Sequence, residues 1–132
     1  MKKLEKGFTI IELFVVIVLI GAASVLFFVQ KNNIAVAARD DKRKIAINAM
    51  YYNLEEVFYA KNKHYPITLN AKDLPAMDPE LFIDSSGIDI NDELGISEYR
   101  YEPTDCEAEK CKGYTLRTAL ENEADYIKKS RN

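Results

Sequence analysis

Few residues in this chain of 132 have the chemistry to form a metal or catalytic centre. Cys106 and Cys111 are the only cysteines, and His64 is the only histidine. Two thiols and one imidazole cannot supply the four ligands of a structural zinc site. In a domain exported beyond the cytoplasm, the two nearby cysteines predict a local disulfide, with two unpaired thiols as the alternative. His64 comes just before Tyr65-Pro66, a position more typical of a helix end than of a catalyst.

A second group of candidate ligands is acidic. Asp84, Asp89 and Asp92 lie close together in a segment rich in carboxylates. Their oxygens would suit calcium, but their spacing does not match the EF-hand loop, so calcium is a secondary hypothesis. The sequence contains no recognisable pair of nucleophile and base and no glycine-rich phosphate loop. We therefore expect a protein that is not an enzyme and that requires no cofactor.

Charge is unevenly distributed along the chain. The formal net charge is −3, yet residues 13 to 29 have no ionisable side chain, whereas residues 73 to 109 contain twelve acidic residues and one arginine. Binding to phosphate groups needs clustered lysines and arginines on an exposed domain. No specific nucleic-acid partner is therefore inferred.

The most distinctive element is the apolar run from Phe8 to Val29, in which Glu12 is the only charged residue. As a helix this run would be ~33 Å long, which matches the ~30 Å hydrocarbon core of a bilayer. It predicts one transmembrane helix. An uncleaved anchor and a removed secretory signal peptide are the alternatives, although the apolar part of a signal peptide is usually only ~7 to 15 residues long.

The sequence KGFTIIEL at residues 6 to 13 resembles the class III signal of type IV pilins and type II secretion pseudopilins. In that family, a prepilin peptidase cuts on the cytoplasmic side between the glycine and an aromatic residue, and then methylates the new N-terminus. The resemblance implies a leader at residues 1-7, cleavage between Gly7 and Phe8, and N-methylation of Phe8. It also implies that Glu12 pairs with the α-amine of Phe8 in a neighbouring subunit during assembly.

The same resemblance implies a function, partners and a location. The chain would be a structural subunit of a type IV pilus-like filament, as a major or minor pilin, with a type II secretion pseudopilin as the alternative. A protein of a different functional class, anchored in the membrane by a single span, is the other alternative. The partners would be other filament subunits, the prepilin peptidase and an inner-membrane assembly platform. The chain would cross the cytoplasmic membrane with its N-terminus inside, and would reach the cell surface in the filament.

Glu12 has two physical interpretations. An ionised carboxylate at the membrane centre costs about 2.5 to 3.5 kcal/mol, and less near a helix start, which favours a partner such as the new α-amine. The residues Thr9-Ile10-Ile11-Glu12 also match the S/T-x-x-E capping box, in which the glutamate caps its own helix. The two roles are compatible, one in the free subunit and the other in the filament.

Residues 1 to 65 contain no proline, which predicts a continuous helix from about residue 8 to residue 61. Residues 8-30 would form the transmembrane or filament-core half, and residues 31-62 an amphipathic half. Residues 39 to 44 are polar all round and predict a solvated collar beside the membrane, with lipid or a neighbouring subunit as a secondary partner. The amphipathic half has one apolar stripe, which predicts a face covered by the rest of the domain: Ile47, Met50, Tyr51, Leu54, Val57 and Phe58.

Residues 63-132 predict a small globular domain rich in loops. Two alternating segments, 99 to 102 and 114 to 120, predict antiparallel strands with Cys106 and Cys111 in the connection between them. The charged tail from residue 121 predicts a short helix or a frayed end. The fold class is therefore α+β, with a pilin-like long N-terminal helix packed against a small antiparallel β-sheet.

Overall fold

The computed structural model describes residues 7 to 132, so residues 1 to 6 of the predicted leader lie outside the described residues. The chain divides into an N-terminal unit that ends at Ala35 and a second unit, Val36–Asn132. The second unit contains the β-sheet and the hydrophobic core.

A long helical element begins the described chain. Helix α1, Ile10–Tyr52, continues directly into a π-helical segment, Asn53–Tyr59, and then into the short helix α2, Ala60–Asn62. Lys63 ends the helix in a left-handed conformation with φ of 60°, and Pro66 disfavours helical backbone in the residue before it. The predicted long N-terminal helix is confirmed.

The helical residues of the N-terminal unit are exposed on every side. Among the described residues, one helix is long and apolar enough to span a membrane, and its most apolar window has a mean hydropathy of 2.8 with no residue buried. The Ser24 hydroxyl donates to the Ile20 carbonyl at 2.7 Å, so this polar group is satisfied within the helix.

The second unit contains a four-stranded antiparallel sheet. Strand β3 is central: it pairs with β2 along nearly its whole length and with β1 and β4 at its two ends. The strands are β1, Tyr65–Pro66; β2, Tyr99–Glu107; β3, Lys110–Thr118; and β4, Tyr126–Lys129. The two predicted strands correspond to β2 and β3.

Strand β4 corrects the prediction for the C-terminal tail, which was expected to be a short helix or frayed. Residues 126 to 129 pair with residues 115 to 118 of β3. The Tyr126 hydroxyl also donates to Asn48 Oδ1 at 2.9 Å. The tail is therefore ordered by the sheet on one side and by the helix on the other.

The core forms where the helix of the second unit meets the sheet. Ile47, Met50 and Leu54 of the predicted stripe are completely buried, and Tyr114 and Leu116 of β3 belong to the same cluster. This confirms the predicted packing of helix on sheet.

The π-helical segment changes which residues face the core. Val57, predicted to be in the stripe, is 40% exposed, whereas Glu55 is 6% exposed. A π-helix has more residues per turn than an α-helix because its hydrogen bonds span five residues, so the inward face moves along the sequence. The predicted stripe was therefore wrong at Val57.

The solvated collar predicted for residues 39 to 44 was wrong at two positions. Asp40 and Arg43 are buried, with 3% and 5% exposure. They are buried because Glu98 and Glu121, from either side of the β2–β3 hairpin, supply partners to Arg43, and charged residues are seldom buried unless paired. Lys42 is exposed, as predicted for the collar.

The segment from residue 67 to residue 98 is rich in loops, as predicted. It contains one turn of 3-10 helix, Pro79–Phe82, and a single bridge between Ile83 and Asp89. The segment adds side chains to the core that the sequence did not identify: Leu69, Leu74, Met77 and Phe82.

Candidate functional site

The predicted cleavage site lies in non-helical backbone. Gly7, Phe8 and Thr9 precede helix α1, which begins at Ile10. Phe8 is 80% exposed, and among the described residues, chain neighbours apart, no atom lies within 4 Å of the position that a Cβ on Gly7 would occupy. Within the described part of the chain, the Gly7–Phe8 peptide bond therefore lies outside the helix and is sterically open on the glycine side.

Thr9 and Glu12 form the predicted capping box. The Glu12 backbone N–H donates to Thr9 Oγ1 at 3.2 Å, and the Thr9 N–H donates to Glu12 Oε2 at 3.5 Å. The second bond is long, and hydrogen bonds weaken beyond their usual range of about 2.7 to 3.2 Å. The cap therefore occupies one oxygen of the Glu12 carboxylate weakly, and leaves its other oxygen able to accept a cation.

Apolar side chains surround Glu12. Ile11 is 78% exposed and Leu13 is 57% exposed. Glu12 is the only charged residue between Phe8 and Gln30. The carboxylate thus lies on a surface from which both lipid and apolar protein would exclude water, and where an isolated charge is costly.

No protein-family model, curated protein or solved structure matches this chain. Its function is therefore inferred from its own residues and geometry.

The structure contains a disulfide between Cys106 and Cys111, as predicted. Its placement corrects the expectation that both cysteines lie in a connection. They are directly opposite each other on paired strands, and the turn consists of Ala108 and Glu109 alone. The bond therefore cross-links the end of the β2–β3 ladder.

The three aspartates considered for calcium already accept hydrogen bonds from nearby backbone N–H groups. Asp84 accepts backbone N–H groups from Ser86, Ile88 and Glu98 at 2.9 Å each. Asp89 accepts the Asn91 N–H at 2.8 Å, and Asp92 accepts a longer bond of 3.5 Å. Between residues 7 and 132, the structure brings no three His, Cys, Asp or Glu residues into a metal-binding group.

His64 lies at the end of the helix, as its sequence position predicts. Its Nδ1 is 2.8 Å from the Asn62 carbonyl oxygen, and its ring meets the Phe58 ring edge to face. Both contacts are with residues close in sequence, which is typical of a residue at the C-terminus of a helix.

The sequence did not reveal a buried charge cluster around Arg43. This guanidinium binds the Glu98 carboxylate through two bonds of 2.9 Å, and also donates to Asp40 and Glu121. Its hydrogen bonds hold the pKa of the Glu98 carboxyl below its usual range. Hydrogen bonds from Arg39 and then from Arg43 lower the pKa of Glu121 to about 2. The one signal in the sequence was the spacing of Asp40 and Arg43, which places them on one helix face.

A second buried acid, Glu55, was also missed. Its carboxylate accepts hydrogen bonds from the Tyr114 hydroxyl at 2.8 Å and from the Tyr65 hydroxyl at 3.1 Å. Burial raises the pKa of both phenols, so they remain hydrogen-bond donors. This cluster fixes the π-helical segment against β1 and β3.

Proposed function

We propose that this protein is a structural subunit of a type IV pilus-like filament. It is cut after Gly7 by a prepilin peptidase, methylated at Phe8 and assembled through its N-terminal helix. The observation that carries the proposal is the combination of an open Gly7–Phe8 bond with an apolar helical segment, residues 10 to 35, that is exposed throughout and has Glu12 near its start.

The exposed helix supports a role in two apolar environments. A large apolar side chain gains about 1.5 to 3 kcal/mol when it is removed from water, and this helix presents such side chains on every side. A bilayer covers them before assembly, with the chain as a single-pass protein of the inner membrane and its N-terminus inside. Neighbouring helices cover them in the filament, so transfer between the two environments leaves the apolar surface buried throughout.

Glu12 supports a specific register for that assembly. Cleavage after Gly7 creates an α-amine on Phe8, four residues before Glu12. A subunit that enters the filament with its amine beside the Glu12 carboxylate of a neighbour neutralises both charges in an apolar setting, where unpaired charges are costly. The pairing sets the axial position of each new subunit.

Two variants separate this role from helix capping. Glu12→Gln keeps a residue that can complete a capping box but removes the charge, whereas Thr9→Val removes the hydroxyl of the cap and keeps the charge. We expect Glu12→Gln subunits to be processed but to give filament yields lower by about tenfold or more, because a hydrogen bond between charged groups contributes about 1.5 to 3 kcal/mol. Thr9→Val should assemble nearly normally. The opposite ranking would assign Glu12 to capping alone and would count against the proposed assembly role.

A further inference from the structure

A cleft of about 400 Å³ lies in the second unit between the end of the helix and the start of β3. It is lined by three lysines, Lys63, Lys110 and Lys112, and by the ring of Tyr59. Glu107 is the one acidic side chain along it, 3.8 Å from Lys112 with both groups largely exposed. Neither Lys63 nor Lys110 forms an ion pair with any other residue of the described range 7 to 132. The lining, which we call the cationic cleft, therefore has a surplus of positive charge.

Lys63 has an unusual backbone for a lysine. Its φ of 60° lies in the left-handed region, which glycine and asparagine usually occupy at the end of a helix. A lysine there has a conformational cost that glycine would avoid, and such outliers concentrate at functional sites. The cationic side chain is the feature that a glycine would not provide.

The same unit presents a segment of opposite charge, residues 89 to 96, which we call the acidic loop. Asp92 and Glu93 form no ion pair with other residues in the described part of the chain. Beside them, Leu94 is 79% exposed and Ile96 is 59% exposed. The acidic loop therefore presents both carboxylates and apolar side chains to a partner.

Cleft and loop are separate patches of the second unit, with no residue in common. Glu98, two residues after the loop, accepts a hydrogen bond from Arg43 and donates its backbone N–H to Asp84. Within the loop, the Asn91 side-chain amide donates to the Leu69 carbonyl, so the loop is held against the second unit at both points. Two complementary patches on different parts of one chain suit a contact between unlike faces of successive copies, which propagates as an open filament.

We propose that the cationic cleft of one subunit binds the acidic loop of a second copy of this chain. This inference rests on the proposed filament function, and adds a contact between the exported domains to the contacts between N-terminal helices. Flexible lysines and exposed carboxylates favour orientation and partner choice over tight binding. The contact would therefore fix how successive domains are rotated and spaced.

Charge reversal with rescue in native cells tests this contact. We expect Lys110→Glu with Lys112→Glu, and separately Asp92→Lys with Glu93→Lys, to be processed at Phe8 yet to lower the yield of sheared filaments at least about tenfold, because like charges then face each other. The variant with all four substitutions should regain most of the yield. Lys72→Glu with Lys129→Glu, two exposed lysines outside the cleft, is the matched control and should assemble normally. Unchanged thermal unfolding of each variant would show that the domain remains folded.

Two results would overturn the inference. If both reversed pairs assemble like the wild type, cleft and loop do not meet. If the variant with the reversed cleft fails to assemble and the four-substitution variant fails to assemble as well, the cleft binds some other anionic group. A failure of the proposed function itself would be visible in the wild type, as chains that are never cut after Gly7 and never leave the membrane.

Discussion

Arg43 on helix α1 and Glu98, the residue before strand β2, are joined by two hydrogen bonds of 2.9 Å each. Arg43 also donates at 3.0 Å to Glu121, which follows β3. One buried guanidinium therefore ties the helix to the segments on either side of the β2–β3 hairpin. This arrangement makes Arg43 a charged residue on which the packing of the helix against the β2–β3 hairpin depends.

Replacing Arg43 with methionine should strongly destabilise the domain. The substitution leaves the buried Asp40 carboxylate and the half-buried Glu98 carboxylate without their cation, and breaking a buried ion pair from one side costs about 3 to 5 kcal/mol. Chemical denaturation of the detergent-solubilised chain, followed by circular dichroism, measures the free energy of unfolding. Arg39→Gln is the matched control, because Arg39 also binds Glu121 but its side chain is 43% exposed. Equal losses for the two variants would contradict a special role for Arg43.

The stability of the domain should fall in acid because the same carboxylates become protonated. The pKa of Glu98 is lowered by Arg43, and the pKa of Glu121 is lowered to about 2 by Arg39 and Arg43. A glutamate in the unfolded chain has a pKa of about 4.3. A folded pKa below the unfolded pKa stabilises the native state above that value, and the contribution is lost as the pH falls toward the folded pKa. We expect the Tm to drop steadily between about pH 5 and pH 2.

The Glu98→Gln variant provides the control for this pH dependence. It should have a lower Tm at neutral pH and a smaller further drop in acid, because one of the linked carboxylates is absent. The same acid-induced drop in variant and wild type would show that other groups dominate the acid transition.

Removing one of the two phenol hydroxyls that donate to Glu55 should also reduce the stability of the domain. Tyr114→Phe deletes the donor 2.8 Å from the Glu55 carboxylate, and leaving a buried acceptor short of a partner costs about 1 to 3 kcal/mol. Tyr52→Phe, at a 59% exposed position, is the control, and it should change the free energy of unfolding by less than about 0.5 kcal/mol. Equal effects would show that Glu55 does not depend on this bond.

The disulfide should contribute modestly. The cysteines are five positions apart, and the loop-entropy model gives about 2 kcal/mol for so short a loop. Cys106→Ala with Cys111→Ala should therefore fold and unfold at a slightly lower denaturant concentration, matching the wild type under reducing conditions. A double variant that fails to fold would show that the cross-link is essential to the hairpin.

Local patterns predicted much of this fold. Three- and four-residue spacing identified Ile47, Met50 and Leu54 as core, and alternation identified β2 and β3, because both signals lie within a few neighbouring residues. The hairpin turn was hidden because Ala108 has a left-handed φ of 56°, without the asparagine or glycine that usually indicates such a turn. The Cys106–Cys111 pairing was therefore predicted, but its place inside the ladder was not.

Contacts between distant residues could not be predicted in this way. Arg43 meets Glu98 and Glu121 across separations of 55 and 78 positions, so a polar hexapeptide looked like a solvated collar. At the candidate site, Gly7, Phe8 and Glu12 were identifiable because the motif is contiguous. The cationic cleft was not, because Lys63 and Lys110 are brought together only by the pairing of β1 with β3.

The most direct test is intact-mass and N-terminal analysis of the protein recovered from filaments sheared from the surface of its native cells. We predict chains that begin at N-methylated Phe8, which would establish the cut after Gly7, the inward N-terminus and export in a filament together. Chains that all begin at Met1 and stay in the membrane would contradict the account and indicate a plain anchor. A start after Ser24 would contradict it differently, by indicating a conventional signal peptide.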